Sequence, residues 1–416
     1  MKILFIHQNF PGQFKFLAPA LAAQGHQVRA MLMNETTKNE WQGVQLFPYR
    51  AARSSSASIH PWVADIETKT IRGEACFRKA LKMKADGYTP DLVIAHPGWG
   101  ESLFIKEVWP AAKLGIYCEL YYQAEGADLG FDPEFLDTED GRSCRIHLKN
   151  LNNLLHAQIA DAGLSPTAWQ ASSYPENIRT KISIIHDGID TSAIRPNLDV
   201  AVSIRNDLTL NRQTEVITFV SRNLEPYRGF HIFMRTLPVL LKARPNAHIL
   251  VIGGDEISYG TKPATGENWR SVLTKEIRPA VSDADWQRVH FLGKLPYPQF
   301  IALLQISTVH IYLTYPFVLS WSLLEAMSVG ASIVASDTAP VREVIRHGQN
   351  GKLVDFFDGA ALIHETCALL DDPAERRRIG DNAREFVKNH FDLQSVCLPK
   401  QLAWVAALKD HNGNVQ

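Results

Sequence analysis

Two arginines, Arg222 and Arg228, bracket the short segment Asn223-Leu224-Glu225-Pro226-Tyr227. They follow an apolar, strand-like run over 216–221 and precede a helical pattern over 230–242. A turn of that kind can bring two guanidinium groups to one polyanion, and arginine grips phosphate through paired N–H groups. Taken alone, two solvated surface arginines are the plainer reading. A second candidate stretch is Tyr315-Pro316-Phe317-Val318-Leu319-Ser320-Trp321-Ser322-Leu323-Leu324-Glu325. Ser320 is placed to cap a helix starting at Trp321, and the open N–H groups of a helix start accept phosphate. Glu325 falls about one turn inside an otherwise apolar helix, where a carboxylate needs a partner. A ribose diol and a neighbouring protein residue serve equally well.

The first half carries weaker signals. Asn9-Phe10-Pro11-Gly12-Gln13 turns from strand to helix, and Gly12 lets backbone approach a ligand. His96, in His96-Pro97-Gly98-Trp99-Gly100, ends a buried strand and can orient a sugar hydroxyl, although a structurally satisfied histidine is the commoner case. Glu119, Tyr121 and Tyr122 close the strand-like run 114–121; they suit a hydroxyl-rich ligand and serve equally as wall residues. Arg72, Arg78, Lys79, Lys82 and Lys84 crowd a helical segment that also holds Ile71, Phe77, Leu81 and Met83. The segment 72–84 is compatible with contact to a membrane surface, and a solvated basic helix is the blander alternative.

These residues need elements to hold them, and the chain supplies strands alternating with helices, the signature of a parallel α/β sheet. Strands are expected over 2–7, 91–96, 114–121 and 182–186, with helices over 13–23, near 101–109 and around 157–164. Asp187-Gly188-Ile189-Asp190, followed by Pro196, interrupts the periodicity. The pattern restarts with strands over 216–221, 248–252, 289–292, 309–313 and 332–335, and helices over 230–242 and 321–329. Gly254–Arg278 reads as an excursion, and 392–410 as a final helix. The expected fold is two doubly wound, Rossmann-like α/β domains, 1–190 and 196–390, facing across a ligand-binding cleft. The final helix is expected to pack back on the first domain.

Composition narrows the classes. The 416 residues are 45% hydrophobic and 21% charged with a net charge of −1, ordinary for a globular protein and unsuited to bulk binding of nucleic acid. The five cysteines (Cys76, Cys118, Cys144, Cys367, Cys397) are scattered without a CxxC pair, so neither a disulfide framework nor a structural zinc site is expected. No run approaches the 18 or more apolar residues of a membrane helix, and MKILFIHQNF lacks the features of a signal peptide. A cytoplasmic protein, or one peripheral on the inner membrane face, is expected.

In order and spacing these stretches resemble the family-4 retaining glycosyltransferases of the GT-B fold, over nearly the whole chain. The likeness begins at Pro11-Gly12-Gln13-Phe14 and continues through Ala160-Asp161, Leu164-Ser165-Pro166-Thr167 and the junction Ile184-Ile185-His186-Asp187-Gly188-Ile189-Asp190. It is most specific at Arg222, Arg228-Gly229, Phe291-Leu292-Gly293, Leu324-Glu325-Ala326-Met327 with Gly330, and Asn350-Gly351 with Leu353-Val354.

The resemblance implies transfer of a sugar from a nucleotide diphosphate sugar, UDP- or GDP-linked, to a hydroxyl on a glycan, a lipid-linked saccharide or a small molecule. It implies retained configuration and neither metal nor other cofactor. Arg222 and Arg228 would hold the diphosphate with amides near Ser320, Trp321 and Ser322. Glu325 would bind the ribose, backbone at Lys294 and Leu295 the base, and Gly12 would admit the sugar and phosphates. His96 and Glu119 are the catalytic candidates on the first domain, beside the two arginines. One departure stands out: the first glutamate of the family motif, which contacts the donor sugar, falls at Phe317, with Ser320 in place of the glycine that follows. A nucleotide-sugar epimerase or hydrolase, and a non-catalytic nucleotide-sugar-binding protein, are the alternatives.

Overall fold

The computed structural model describes residues 1–33, 36–136 and 140–410. The chain forms two compact units, Met1–Gly188 with the segment from Leu393 onward, and Ile189–Asp392.

The first unit is built on a sheet of eight strands in the order Glu40–Trp41, Val44–Pro48, Gln27–Leu32, Lys2–Ile6, Leu92–Ala95, Lys113–Tyr117, Ala162–Ser165 and Ile182–Ile184. All pairings are parallel except that of the short edge strand Glu40–Trp41. Both faces of the central strands Lys2–Ile6, Leu92–Ala95 and Lys113–Tyr117 are covered, which is why these read as largely apolar runs. Ile3 and Phe5 pack into one layer with Leu92 and Ile94, while Leu4 and Ile6 pack into the other with Val93 and Ala95. The helix Leu398–Asp410 lies in the first of those layers, contributing Trp404, Val405 and Leu408. Gly115 makes room for it, since a Cβ there would meet the Trp404 ring at 2.5 Å.

The second unit carries a six-stranded, all-parallel sheet in the order Val289–Gly293, His248–Gly254, Val216–Asn223, Val309–Tyr312, Ser332–Ser336 and Lys352–Val354. An antiparallel hairpin, Ala201–Arg205 with Leu208–Asn211, forms a separate sheet and packs its Leu210 into one cluster with Val216 and Leu250.

In each sheet the order reverses direction beside a central strand: Lys2–Ile6 between its neighbours Gln27–Leu32 and Leu92–Ala95, and Val216–Asn223 between His248–Gly254 and Val309–Tyr312. Loops leaving the carboxyl ends of strands at such a reversal diverge and open a crevice. His7 and His96 leave one reversal; Arg222, Arg228 and Thr314 leave the other.

Several elements differ from the sequence expectation. The helix expected over 13–23 starts at Leu17, after a single 3-10 turn Gly12–Phe14. The strand expected over 114–121 stops at Tyr117, so Glu119, Tyr121 and Tyr122 belong to the following loop. Residues 157–164 are the end of one helix, Arg142–Ile159, and the start of the strand Ala162–Ser165. The excursion 254–278 contains a helix, Trp269–Ile277, whose cap Asn268 accepts the Ser271 N–H at 2.8 Å. The basic segment 72–84 lies in the helix Ala64–Ala85, and its Ile71, Cys76, Ala80 and Met83 are buried in the core. Those apolar side chains are spent on packing, with Leu81 left exposed. No helix among the described residues is long and apolar enough to cross a membrane.

Candidate functional site

In the second unit, Val216–Asn223 carries the exposed Arg222 one residue before its end, and the chain turns through Pro226–Arg228 to the helix Phe230–Ala243. The turn draws Arg228 inward until it is only 6% exposed. Its Nη1 donates to Thr314 Oγ1 at 2.8 Å and to the Val318 carbonyl at 3.1 Å. Among the described residues no carboxylate forms an ion pair with Arg228, and Nε and Nη2 have no protein acceptor. A buried cation without a counterion is costly, and an anion placed here would offset that cost. The carboxylates of this turn and of the loop after His248–Gly254 have partners of their own: Asp255 with Arg270 at 2.5 Å, Glu256 with Lys294, and Glu225 with the amides of Ser258, Tyr259 and Gly260 at 3.0–3.3 Å.

Ser320 caps the helix Trp321–Ser328, its Oγ accepting the Ser322 N–H at 3.3 Å, while its own N–H donates to the Tyr312 hydroxyl at 3.1 Å. That hydroxyl lies 3.5 Å from Arg228 Nη1, so cap and guanidinium are tied to the same strand. Glu325 is buried on the helix, and its Oε1 accepts the Tyr297 hydroxyl at 2.6 Å. Burial and the Glu325 charge push the Tyr297 phenol well above its ordinary range, so it stays a donor. The structure thus brings Arg228, Ser320, Trp321, Ser322 and Glu325 to one strand end and helix start. Lys294 and Leu295 follow the strand Val289–Gly293; the Lys294 ammonium is occupied by Glu256 at the surface, leaving the backbone as its contribution.

The first unit holds a second polar constellation. His7 follows the strand Lys2–Ile6, and its Nδ1 accepts the Asn9 N–H at 3.0 Å. The ring proton is therefore on Nε2, which donates to Gln13 Oε1 at 2.7 Å. That bond orients the Gln13 amide, whose Nε2 donates to Glu119 Oε1 at 3.2 Å. His96, 1% exposed, accepts the Gly98 N–H on Nδ1 at 3.2 Å, so Nε2 carries its proton, 3.7 Å from Glu119 Oε2. The His96 ring stacks on Tyr117 with centroids 5.3 Å apart. Burial, then the neighbouring His96, lowers the His7 pKa to about 3, so its imidazole is neutral at any working pH. Burial raises the Glu119 carboxyl, but hydrogen bonding from His96 and from Gln13 outweighs that and holds it below its ordinary value. The array presents an oriented carboxylate that can accept from a hydroxyl. His96 and Glu119 meet despite lying on separate loops. Tyr121 and Tyr122 instead anchor their loop, with backbone N–H groups bonded to Ser173 and Asn150.

Gly12 has φ +48°, and a Cβ there would sit 2.2 Å from His7 Nε2. The glycine is required by its own neighbour as well as by any ligand. Gly12→Ala is expected to cost about 1–3 kcal/mol and to lower the thermal midpoint by several degrees in calorimetry; an unchanged midpoint contradicts this packing.

Sequence reading missed His7 and the Gln13 side chain. The pattern that could have found them is a polar pair flanking a glycine at a strand end. Tyr297 was missed as well, and nothing in its own heptad separates it from any other surface tyrosine.

Residues 24–194 match the glycosyl transferase family 4 group, and residues 203–386 match the glycosyl transferases group 1. A D-inositol 3-phosphate glycosyltransferase of Corynebacterium efficiens is 27% identical over 212 residues, 50% of this chain and 47% of that protein. An N-acetyl-alpha-D-glucosaminyl L-malate synthase of Bacillus anthracis is 30% identical over 129 residues, 31% of this chain and 33% of that one. The alignments thus span about half, or less, of the length of these curated relatives. Among solved structures, a sucrose-phosphate synthase from Thermosynechococcus elongatus matches with a TM-score of 0.74 at 16% identity, over 99% of this chain and all of that one. Anabaena HepE in complex with UDP-glucose matches with a TM-score of 0.66 at 16% identity, over 98% and 99%. At such identity the likeness shows the fold, two Rossmann-like halves of the GT-B class.

Proposed function

The chain belongs to the glycosyltransferases, its first half to the family 4 group and its second to group 1, and we propose that it moves a sugar from a nucleotide diphosphate sugar to a hydroxyl acceptor, with retention and without a metal ion. The observation that carries the reading is Arg228, a buried guanidinium without a carboxylate partner among the described residues, beside the start of the helix Trp321–Ser328. Oriented cations and helix N–H groups stabilise charge that develops on a leaving group. Here that charge is the nucleoside diphosphate, which Arg228, Arg222 and the amides around Ser320–Ser322 would receive. Glu325, braced by Tyr297, would accept from a ribose hydroxyl.

As the bond between the sugar and the diphosphate lengthens, the leaving phosphate oxygen takes the proton of the acceptor hydroxyl on the same face. The acceptor oxygen then bonds to the anomeric carbon, and configuration is kept. Glu119, fixed through Gln13 and His7 with His96 beside it, would orient a hydroxylated ligand. Relatives named for glycosyl transfer support this reading, as does a neighbour of the same fold in complex with UDP-glucose.

A thermal-shift panel of UDP, GDP, ADP, TDP and their sugar conjugates, each with and without EDTA, tests it. Ligand at 100 times its Kd adds about 2.7 kcal/mol, roughly several degrees for domains of this size. A shift with one nucleotide, unchanged by EDTA, is expected. No shift with any of them overturns the assignment at Arg222, Arg228 and Glu325. Donor consumed without acceptor would mark the epimerase or hydrolase instead.

A further inference from the structure

The helix Arg142–Ile159 is packed against its own composition. It buries Asn150, Asn152 and Asn153, at 4%, 1% and 8% exposed, and leaves Leu154 and Leu155 facing solvent at 36% and 46%. Asparagine is a poor helix former, and a buried amide is costly unless it is bonded. A helix that only filled the core would turn its leucines inward. The asparagines are bonded, and to two loops. Asn152 Nδ2 donates to the carbonyl of Pro97, the residue after His96, at 2.8 Å. Asn153 Nδ2 donates to the carbonyl of Leu120, the residue after Glu119, at 3.1 Å. Asn150 grips the Tyr122 backbone, accepting its N–H at 3.0 Å and donating to its carbonyl at 2.7 Å. One turn beyond Asn152, His156 Nδ1 donates to the Asn152 carbonyl at 2.7 Å, so its Nε2 accepts the Ser102 hydroxyl at 2.8 Å.

The two loops leave different strands, Leu92–Ala95 and Lys113–Tyr117, and the direct link between their functional groups is long, with His96 Nε2 3.7 Å from Glu119 Oε2. Their separation is set from behind, by neighbouring side chains of one helix. We infer that Asn152 and Asn153 are positioning residues for sugar transfer: they hold the residues that follow His96 and Glu119 at a fixed spacing, so that imidazole and carboxylate act as a pair. That role rests on the reading of Glu119 given above, whereas the spacing of the loops does not.

The Glu119 carboxyl reports the spacing, because hydrogen bonding from His96 and Gln13 holds it below its ordinary value. In protein carrying isotope-labelled glutamate, its signal is assigned by its loss in Glu119→Gln and titrated by NMR. Asn152→Leu and Asn153→Leu keep the bulk of the side chain and leave a loop carbonyl unbonded. Each is expected to move the Glu119 midpoint upward from its wild-type value. Leu155→Asn, on the exposed face of the same helix, should leave it in place. Asn152→Ser and Asn153→Ser serve if the leucine variants do not fold. Release of nucleoside diphosphate from UDP-glucose or GDP-mannose, whichever the thermal-shift panel selects, should fall about ten- to hundredfold in the asparagine variants. An unmoved Glu119 midpoint in folded variants overturns the inference, even where turnover falls, since that is the sign of a merely structural role. Full turnover in the asparagine variants beside a slow Glu119→Gln also overturns it. Full turnover in all of them removes Glu119, and its positioning, from the reaction and leaves the nucleotide site untouched.

Discussion

Arg228→Ala lowers kcat/KM for the donor by roughly two to three orders of magnitude, the range seen when one oriented donor to a developing oxyanion is removed. The size follows from the burial of the side chain. An exposed arginine shares its anion with water and salt, whereas Arg228 would act from a site 6% exposed, with no carboxylate ion pair among the described residues. Arg222, at the exposed end of its strand, is expected to contribute less: Arg222→Ala should cost about tenfold or less and be blunted by salt. Arg228→Lys keeps the charge but loses the fork that bonds Thr314 and Val318 while facing outward, so it should recover only part of the rate. Steady-state kinetics on folded variants, with circular dichroism and thermal midpoints as controls, decides the matter. Arg228→Ala turning over within threefold of wild type would remove the diphosphate role from this residue.

How far such a residue is legible in sequence depends on the range of its contacts. Arg228 was visible because its environment is local: a strand, a short turn and a helix within one stretch, joined by a second strand-to-helix crossover that carries Thr314 and Ser320. The Ser320 cap was visible for the same reason, since a cap and the helix it serves are adjacent in the chain. The partners of Glu119 were hidden. Gln13 reaches it across two sheet positions, and only the strand order Lys2–Ile6, Leu92–Ala95, Lys113–Tyr117 brings the loops together. Tyr297 with Glu325 is a similar case, two helices meeting beside the sheet.

Strands buried on both faces declared themselves through continuous apolar runs, but Gln27–Leu32 did not, because Arg29 interrupts it. In the fold that guanidinium lies 4.0 Å from the Tyr88 ring centroid and bonds Gln45, so a charged residue is accommodated on a sheet without an ion pair. The helix Trp269–Ile277 was concealed differently. Its sequence surroundings are rich in Gly, Pro, Ser and Thr, and the one decisive residue is Asn268.

Glu101→Gln stabilises the protein at pH 8 and leaves it nearly unchanged at pH 4.5. The carboxyl of Glu101 is 1% exposed, and among the described residues neither oxygen has a hydrogen-bond partner on another residue. Burial is the dominant influence and raises its pKa to about 7, against its own backbone N–H and then the neighbouring Arg72, His96 and Lys69. The folded state thus holds this proton more tightly than the unfolded chain does. Its contribution to stability is complete below the unfolded value near 4.5 and is lost as pH rises through about 7. The loss approaches roughly 3 kcal/mol above that range. An amide of the same shape has no proton to lose, so the variant should escape this decline. Buried histidines such as His7, His156 and His186 shape the acid side of the profile, with burial lowering each to about 3–4, but they are common to both proteins and cancel in the comparison. The measurement is the difference in thermal midpoint between variant and wild type across pH 4.5 to 8. It should grow from near zero to several degrees. A difference that stays flat with pH would mean that Glu101 titrates as an ordinary carboxyl and would overturn this reading of its burial.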